Sequence, residues 1–376
     1  MHKIVYVVST LKLSGPTNQL FNIVVNLDST RFEAHVITLS PEPDESRWSD
    51  FIGAGVKVYS LGLSRLSGLI LARAKLKRLI NDIKPDLIHT QGLRADVLSA
   101  GLGSIAPRVC TVRNIPQQDY VMTYGKVTGR LMFHNHVKAM GKLDMCVGVS
   151  SAVSANLQQT FGLANVATIR NGVDTEAYDR PSAADKQRLR ERLGLPLEGR
   201  IWISSGHLSS RKDPLFLIKA WRRQFQKTDA DHLLFIGAGP LEGECRVASE
   251  GAGNIHILGR VQNVSEYLKA SDYFISASKA EGLPNAALEA LACGLPVLLS
   301  DIGPHREIWD MSPAVGRLFA LGDEDLLLDS LNAILGSDLE TLAAAAHALA
   351  HEQLSARAMS GKYQRAYHGL MSGVHK

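Results

Sequence analysis

Cysteine is scarce in this chain, and no clear cluster combines histidines with cysteines. The four cysteines, Cys110, Cys146, Cys245 and Cys293, are widely spread and form no C-x-x-C pair. That spacing excludes a structural zinc knuckle and points to a reducing compartment. His134 and His136 stand two apart, on different faces of any helix, and make no metal pair. No apolar run approaches the ~20 residues a membrane-crossing helix needs. Residues 1–8 read directly as a strand, without the apolar stretch and cleavage site of a secretory signal, so the expected location is cytoplasmic. No nucleic-acid motif is present and the charge excess is modest, which argues against a nucleic-acid partner.

At 376 residues the chain is too long for one compact core, and two domains are expected. The net charge of +4 is uneven. Residues 1–180 hold 20 Lys and Arg against 14 Asp and Glu, so the first half is the basic one, suited to an anionic ligand or surface. Short apolar runs alternate with longer helical patterns. Strands are expected at 3–8, 34–39, 56–60, 86–90, 108–112, 145–149 and 166–170, then at 201–205, 232–236, 255–258, 272–277, 296–299 and 317–319. Strands separated by helices of ten or more residues imply βαβ units and parallel sheets. The fold class is therefore α/β, with two Rossmann-like domains. The break is placed in the polar segment 172–185. The limits are 1–175 and 176–354, followed by a terminal helix at about 355–376 that carries Tyr363 and Tyr367.

The segment EGLPNAALE, from Glu281 to Glu289, is the richest in chemistry. It follows a buried strand at 272–277. Pro284 suits the first helical position, because its missing N–H would be unpaired there. The helix-start amides of Leu283, Asn285 and Ala286 would then form an anion site. Asn285 and Glu289 share a helix face. Glu281 sits on the loop before, with Gly282 between it and the helix. Carboxylate, amide cradle and carboxylate in a line fit a sugar, a diphosphate and a ribose. The alternative is a solvated helix beside a loop glutamate.

Three further strand–loop–helix junctions bear on the same ligand. Gly206, His207, Arg211 and Lys212 follow the strand at 201–205, with Asp213 a helix cap and Pro214 a first helical residue. A lysine at that sheet edge can neutralise a leaving diphosphate; solvated loop charge is the other reading. Gly237 and Gly239 begin like a dinucleotide fingerprint, but Glu242 stands where the third glycine belongs. A turn lending its backbone to a ligand and a purely structural turn both fit. Arg260 and Val261 follow the strand at 255–258 and can hold a base edge. In the first half, Gly15 permits close approach to the backbone after the first strand.

Taken together, these elements resemble the retaining glycosyltransferases of the GT-B fold, the family of glycosyl transferases group 1. The matching pieces are Gly206 to Asp213, Gly237 to Leu241, Ala270 to Ser278, Glu281 to Glu289, the run ALACGLPV from Ala290, and the junction NGVD from Asn171. The resemblance implies two Rossmann-like domains facing across a cleft. The second would bind a nucleotide-sugar donor, UDP-linked by the commonest pattern; the first would bind a carbohydrate or lipid-linked acceptor. Glu281 would contact donor-sugar hydroxyls, Asn285 the phosphates and Glu289 the ribose, while Lys212 and Arg211 would neutralise the diphosphate. Gly15 would lie opposite the Glu281 loop, and the terminal helix would cross back to the first domain. No metal and no cofactor is implied, in keeping with the lack of a clear D-x-D metal site or a mixed His/Cys cluster. The family commonly carries Arg where His207 stands, and a His after the strand at 108–112, where this chain has Arg113 and Asn114. Arg113 would bind an acceptor phosphate instead.

The expected chemistry is transfer with retention, by front-face attack in which the departing phosphate takes the acceptor proton; no carboxylate nucleophile is evident. Residues 63–84 and 124–142 are basic amphipathic stretches that fit either an ordinary solvated helix face or an anionic membrane surface; the latter would place the enzyme peripherally on the inner face in surface polysaccharide synthesis. A GT-B-fold nucleotide-sugar epimerase and a non-catalytic sugar-nucleotide-binding scaffold are the competing readings.

Overall fold

The computed structural model describes residues 1–225 and 230–373, with the backbone alone at 65 and 66. The basic residue expected at Arg65 thus has a side chain outside the described residues, as do residues 374–376 of the terminal helix. The chain forms two compact units, Met1–Gly172 joined by the C-terminal segment from Ala356, and Val173–Ser355.

The first unit runs β1 (His2–Val8), α1 (Gly15–Val25), β2 (Phe32–Thr38), α2 (Trp48–Gly53), β3 (Lys57–Ser60), α3 (Arg65–Ile83), β4 (Leu87–Gln91), α4 (Leu93–Ala100), β5 (Arg108–Val112), α5 (Pro116–Tyr124), α6 (Lys126–Met140), β6 (Met145–Gly148), α7 (Ser151–Ala155) and β7 (Val166–Thr168). Its seven strands pair in the order β3-β2-β1-β4-β5-β6-β7, all in parallel. Ile4, Val5, Tyr6 and Val7 are wholly buried, as a strand covered by helices on both faces requires.

The second unit runs α8 (Ala183–Leu193), β8 (Arg200–Ser205), α9 (Pro214–Phe225), β9 (Asp231–Ile236), α10 (Glu242–Ser249), β10 (Ile255–Gly259), α11 (Val264–Lys269), β11 (Tyr273–Ser276), α12 (Asn285–Ala292), β12 (Val297–Ser300), α13 (Gly303–Met311), β13 (Gly316–Phe319), α14 (Glu324–Leu335) and α15 (Leu339–Gln353). Its parallel sheet has the order β10-β9-β8-β11-β12-β13. Trp202 on β8 stacks on Tyr273 of β11 at 4.2 Å between ring centres, with Trp221 of α9 edge-on, and these rings fill the core beneath the sheet.

The terminal helix α16 (Ala356–Met371) belongs to the first unit. A buried polar chain fastens it. The Tyr367 hydroxyl lies 2.6 Å from His89 Nδ1, His89 Nε2 lies 2.8 Å from Thr111 Oγ1, and Thr111 Oγ1 lies 2.8 Å from the Tyr363 hydroxyl. Burial pushes His89 down to about 3, with Arg113 adding to the effect, so its ring is neutral and works as one donor and one acceptor. Among the described residues no helix is long and apolar enough to cross a membrane.

Candidate active site

In each sheet the strand order reverses beside its first strand, and open α/β sheets bind ligands at the carboxyl ends beside such a switch point. In the second unit this switch point lies between β8 and β11. The loops leaving those two strands are tied together, Lys279 N–H donating to the Arg211 carbonyl at 2.8 Å. The tie brings Lys212 Nζ to 2.7 Å from Glu281 Oε1, and Arg211 Nη1 to 3.6 Å from Glu281 Oε2. Arg211 also donates to the Ala280 carbonyl at 3.3 Å. The Glu281 side chain is only 8% exposed. Burial alone would raise its pKa, but Lys212 and then Arg211 outweigh that, and the carboxyl is held below its ordinary value. The site therefore contains an ionised carboxylate already paired with two cations.

Behind it, Pro284 does not open the helix as expected. It takes an extended conformation (φ −74°, ψ 104°) and precedes Asn285, the first residue of α12. Its carbonyl instead accepts from Ala287 and Leu288 at 3.1 and 3.2 Å. The helix start thus lies one residue later than the proline suggested. Leu283 and Asn285 already hold partners, and Gly282, Leu283 and Pro284 are buried. Glu289, one turn along α12, is half-buried. Burial pushes it up to about 7, although Lys212 pulls the other way. Two carboxyls eight residues apart are thus shifted in opposite directions from the ordinary carboxyl value, because only Glu281 touches the cations.

His305 on α13 joins this group without any signal in the sequence. Its Nδ1 lies 2.8 Å from the Ser300 carbonyl, so Nδ1 carries the proton and Nε2 is left as a bare acceptor. Nε2 is buried and has no partner. Burial pushes His305 down to about 4, with Glu281 opposing, so the ring is neutral. Ser300 Oγ donates to the Ser278 carbonyl at 2.6 Å, tying the ends of β11 and β12 beneath it.

The glycines of the site are explained by close packing of backbone. A Cβ on Gly237 (φ +130°) would collide with the Gly206 carbonyl, and one on Gly239 with the Leu208 carbonyl. Gly237 N–H donates to the Gly259 carbonyl at 2.7 Å, so this amide is engaged within the fold. At Gly206 (φ +145°) a Cβ would come within 3.3 Å of Lys212 Cε; the glycine makes room for the lysine. His207 and Arg260 are exposed and Val261 half-buried. Asp213 is not the expected cap. It takes the left-handed region (φ +48°), which a helix cap does not use, and its carboxylate pairs with Lys279 at 2.6 Å.

The first unit has its own crevice. A cavity of ≈ 1490 Å³ opens at the ends of β1, β4 and β5, walled by α3, α4, α5 and α6. Arg113 and Asn114 line it. Arg113 donates to Gln91 Oε1 at 2.7 Å and to Asn171 Oδ1 at 3.5 Å, both neutral groups. Burial pushes it down to about 10, with Tyr363 opposing. Arg94, also lining, donates to Ser40 Oγ at 2.6 Å and keeps a buried Nη2 without a partner. Among the described residues neither guanidinium pairs with a carboxylate. A relay faces the same cavity: His136 Nε2 lies 2.6 Å from Asp96 Oδ2, and the Tyr120 hydroxyl 2.8 Å from His136 Nδ1. Asp96 is wholly buried. Nothing in the sequence marks this trio, since its members lie on α4, α5 and α6. Gly15 opens α1 in this unit, capped by Ser14. Leu69, which lines the cavity, is exposed (84%), as are Ile70 beside it on α3 and Val127 and Leu131 on α6. These apolar residues lie within the two basic stretches, 63–84 and 124–142.

Both units match models of known protein families. The model for glycosyl transferases group 1 matches residues 199–337, and that for glycosyltransferase family 4 matches residues 13–177. The chain is 25% identical over 385 residues to the O-antigen biosynthesis glycosyltransferase WclY of Escherichia coli, covering 99% of both chains. It is 28% identical over 242 residues to the putative teichuronic acid biosynthesis glycosyltransferase TuaC of Bacillus subtilis, covering 64% of this chain and 58% of the relative. A UDP-Gal:α-D-GlcNAc-diphosphoundecaprenol α-1,3-galactosyltransferase of E. coli is 25% identical over 279 residues, 68% of each chain. Among solved structures, Anabaena HepE in complex with UDP and glucose superposes with a TM-score of 0.80 at 18% identity, covering 98% of this chain and 100% of that one. WaaG, a glycosyltransferase involved in lipopolysaccharide biosynthesis, superposes at 0.75 and 14%, covering 97% and 100%.

Proposed function

The chain belongs to the GT-B-fold glycosyltransferases, with the group 1 domain in its second unit, and we propose that it transfers a sugar from a nucleoside diphosphate, UDP by preference, to a lipid-linked carbohydrate acceptor with retention. The observation that carries the donor half is the Lys212–Glu281–Arg211 cluster at the β8/β11 switch point. UDP and glucose accompany the HepE structure, whose fold this chain shares. The named relatives above are transferases, which leaves the epimerase and scaffold readings without support.

In this reading the diphosphate lies against Lys212, Arg211 and the start of α12, with Glu281 and His305 Nε2 accepting from sugar hydroxyls. Glu289 accepts from the ribose. The acceptor hydroxyl attacks the anomeric carbon on the face from which the β-phosphate leaves. The carbon–phosphate-oxygen bond breaks, and the hydroxyl proton passes to the departing phosphate oxygen. Lys212 and Arg211 stabilise the negative charge that develops there. No residue of this chain forms a covalent link to the sugar.

The acceptor reading rests on the cavity of the first unit. Its volume exceeds the roughly 300–1,000 Å³ of a small-molecule site. Half-buried guanidiniums at Arg113 and Arg94, without carboxylate partners among the described residues, suit a phosphate, and exposed Leu69 on the cavity wall suits a lipid chain. Retention, the donor base and the acceptor are tested in sequence. A thermal-shift panel of UDP-, GDP- and dTDP-sugars selects the donor. Transfer to diphosphate-linked and free glycans then selects the acceptor, and NMR of the product gives the anomeric configuration. An inverted product would sink the front-face mechanism, and stabilisation by no nucleotide sugar would sink the donor site.

A further inference from the structure

Away from the sugar-nucleotide crevice, the second unit brings Asp179, His347 and His351 together. We propose that these three side chains form a binding site for a divalent transition-metal ion of the zinc class, which fastens the segment entering this unit to its last helix.

His347 and His351 are four residues apart on α15 and therefore project from one face. Their rings stack at 3.9 Å between centres. Both turn Nε2 toward Asp179, on the irregular segment before α8. The Asp179 Oδ1 atom lies 2.9 Å from His347 Nε2 and 3.6 Å from His351 Nε2, and all three ligand atoms fall within 4.8 Å of one another. Ligands held at 2.0–2.1 Å around a tetrahedral zinc stand roughly 3.3 Å apart. The two observed separations bracket that value, so an ion needs only small side-chain shifts.

A carboxylate clamp on the helix does not explain both rings. The bond to Asp179 satisfies His347, whereas His351 Nε2 is buried without a hydrogen-bond partner. Two imidazoles and one carboxylate suit zinc, nickel or cobalt; magnesium and calcium prefer oxygen ligands in larger number. The carboxylate is oriented from behind by Arg180 N–H, 2.8 Å from Oδ1. The Arg180 side chain is drawn off to Glu340 at 2.6 Å, so it does not compete. A fourth position, open to solvent, remains for water. The site has a structural consequence. Val173 N–H donates to the Leu354 carbonyl at 2.8 Å, so the segments entering and leaving the unit run together. An ion at Asp179 would cross-link these same segments again. Because α15 packs on α12, it would also stiffen the support of the helix carrying Asn285 and Glu289.

The test uses the untagged full chain, dialysed against chelator. Calorimetric titration with Zn²⁺ should show one saturable site. Co²⁺ should give the visible absorption of a four- or five-coordinate ion. Zn²⁺, and not Mg²⁺, should raise Tm by roughly 2–4 °C. H347Q/H351Q should abolish all three responses while melting like the metal-free wild type. H232Q/H256Q, which removes the other histidine pair of the unit, should leave them intact. Absence of saturable binding, or binding retained in H347Q/H351Q, would overturn the proposal.

Discussion

Lys212 Nζ lies 2.7 Å from Glu281 Oε1, across 69 residues of chain. The cation proposed to meet the leaving phosphate and the carboxylate proposed to meet the sugar are counter-ions of each other in this structure. A bound diphosphate competes for the lysine and frees the carboxylate for hydroxyls. The buried pair is therefore a poised arrangement, and breaking one partner costs more than removing both.

Lys212→Ala should lower kcat by about 10²–10³, the usual effect of removing one charge-stabilising donor. It should also lower Tm, because Glu281 is left with the more distant Arg211. Adding Glu281→Gln should restore Tm and leave turnover low. Turnover equal to wild type in Lys212→Ala would remove the lysine from the mechanism.

Glu289 gives a pH signature. Its pKa is raised to about 7 from 4.5. Between those values the folded protein holds a proton that the unfolded chain releases, so this group's contribution to stability falls as pH rises through the window. Glu289→Gln should remove that slope, leaving the empty variant more stable than wild type at pH 8 and similar to it at pH 4. Donor affinity should fall in the same variant. Parallel Tm–pH curves for the two proteins would contradict the assignment.

Arg113→Gln should raise KM for a phosphate-bearing acceptor by roughly ten- to hundred-fold, the range of one charge-assisted hydrogen bond of about 1.5–3 kcal/mol. Donor KM should not move. A change confined to donor KM would place Arg113 outside the acceptor site.

Leu69→Ser/Ile70→Ser should reduce flotation of the protein with vesicles containing anionic lipid, as should high salt. Equal flotation with neutral and anionic vesicles would dismiss the preference for an anionic surface, and none for wild type would dismiss the membrane surface as a partner.

Tyr367→Phe should lower stability by about 1 kcal/mol, since it deprives buried His89 of a hydrogen bond. The change should appear as a small fall in Tm, with donor binding to the second unit unaffected. An unchanged Tm would mean that packing alone holds α16.

Local pattern was enough to place the strands and the chemistry-bearing helix starts. A buried parallel strand must be a short apolar run and a crossover must be long, so periodicity exposes both. The segment from Glu281 to Glu289 was legible for the same reason: its meaning lies in its own turn and helix. Where tertiary contacts overrode local preference, the reading slipped. Asp213 left its capping role for Lys279, and Pro284 stepped outside α12. Partnerships across the chain were not legible at all. Lys212 meets Glu281 because β8 and β11 are neighbours at the switch point; His89 meets Tyr367 because α16 returns to the first sheet; Asp179 meets His347 and His351 because α15 lies beside the entering segment. Sequence determines which residues sit at the ends of strands and helices. Only strand order and helix packing decide which of those ends come within bonding distance, since such contacts depend on the global path of the backbone and not on the propensities of either segment.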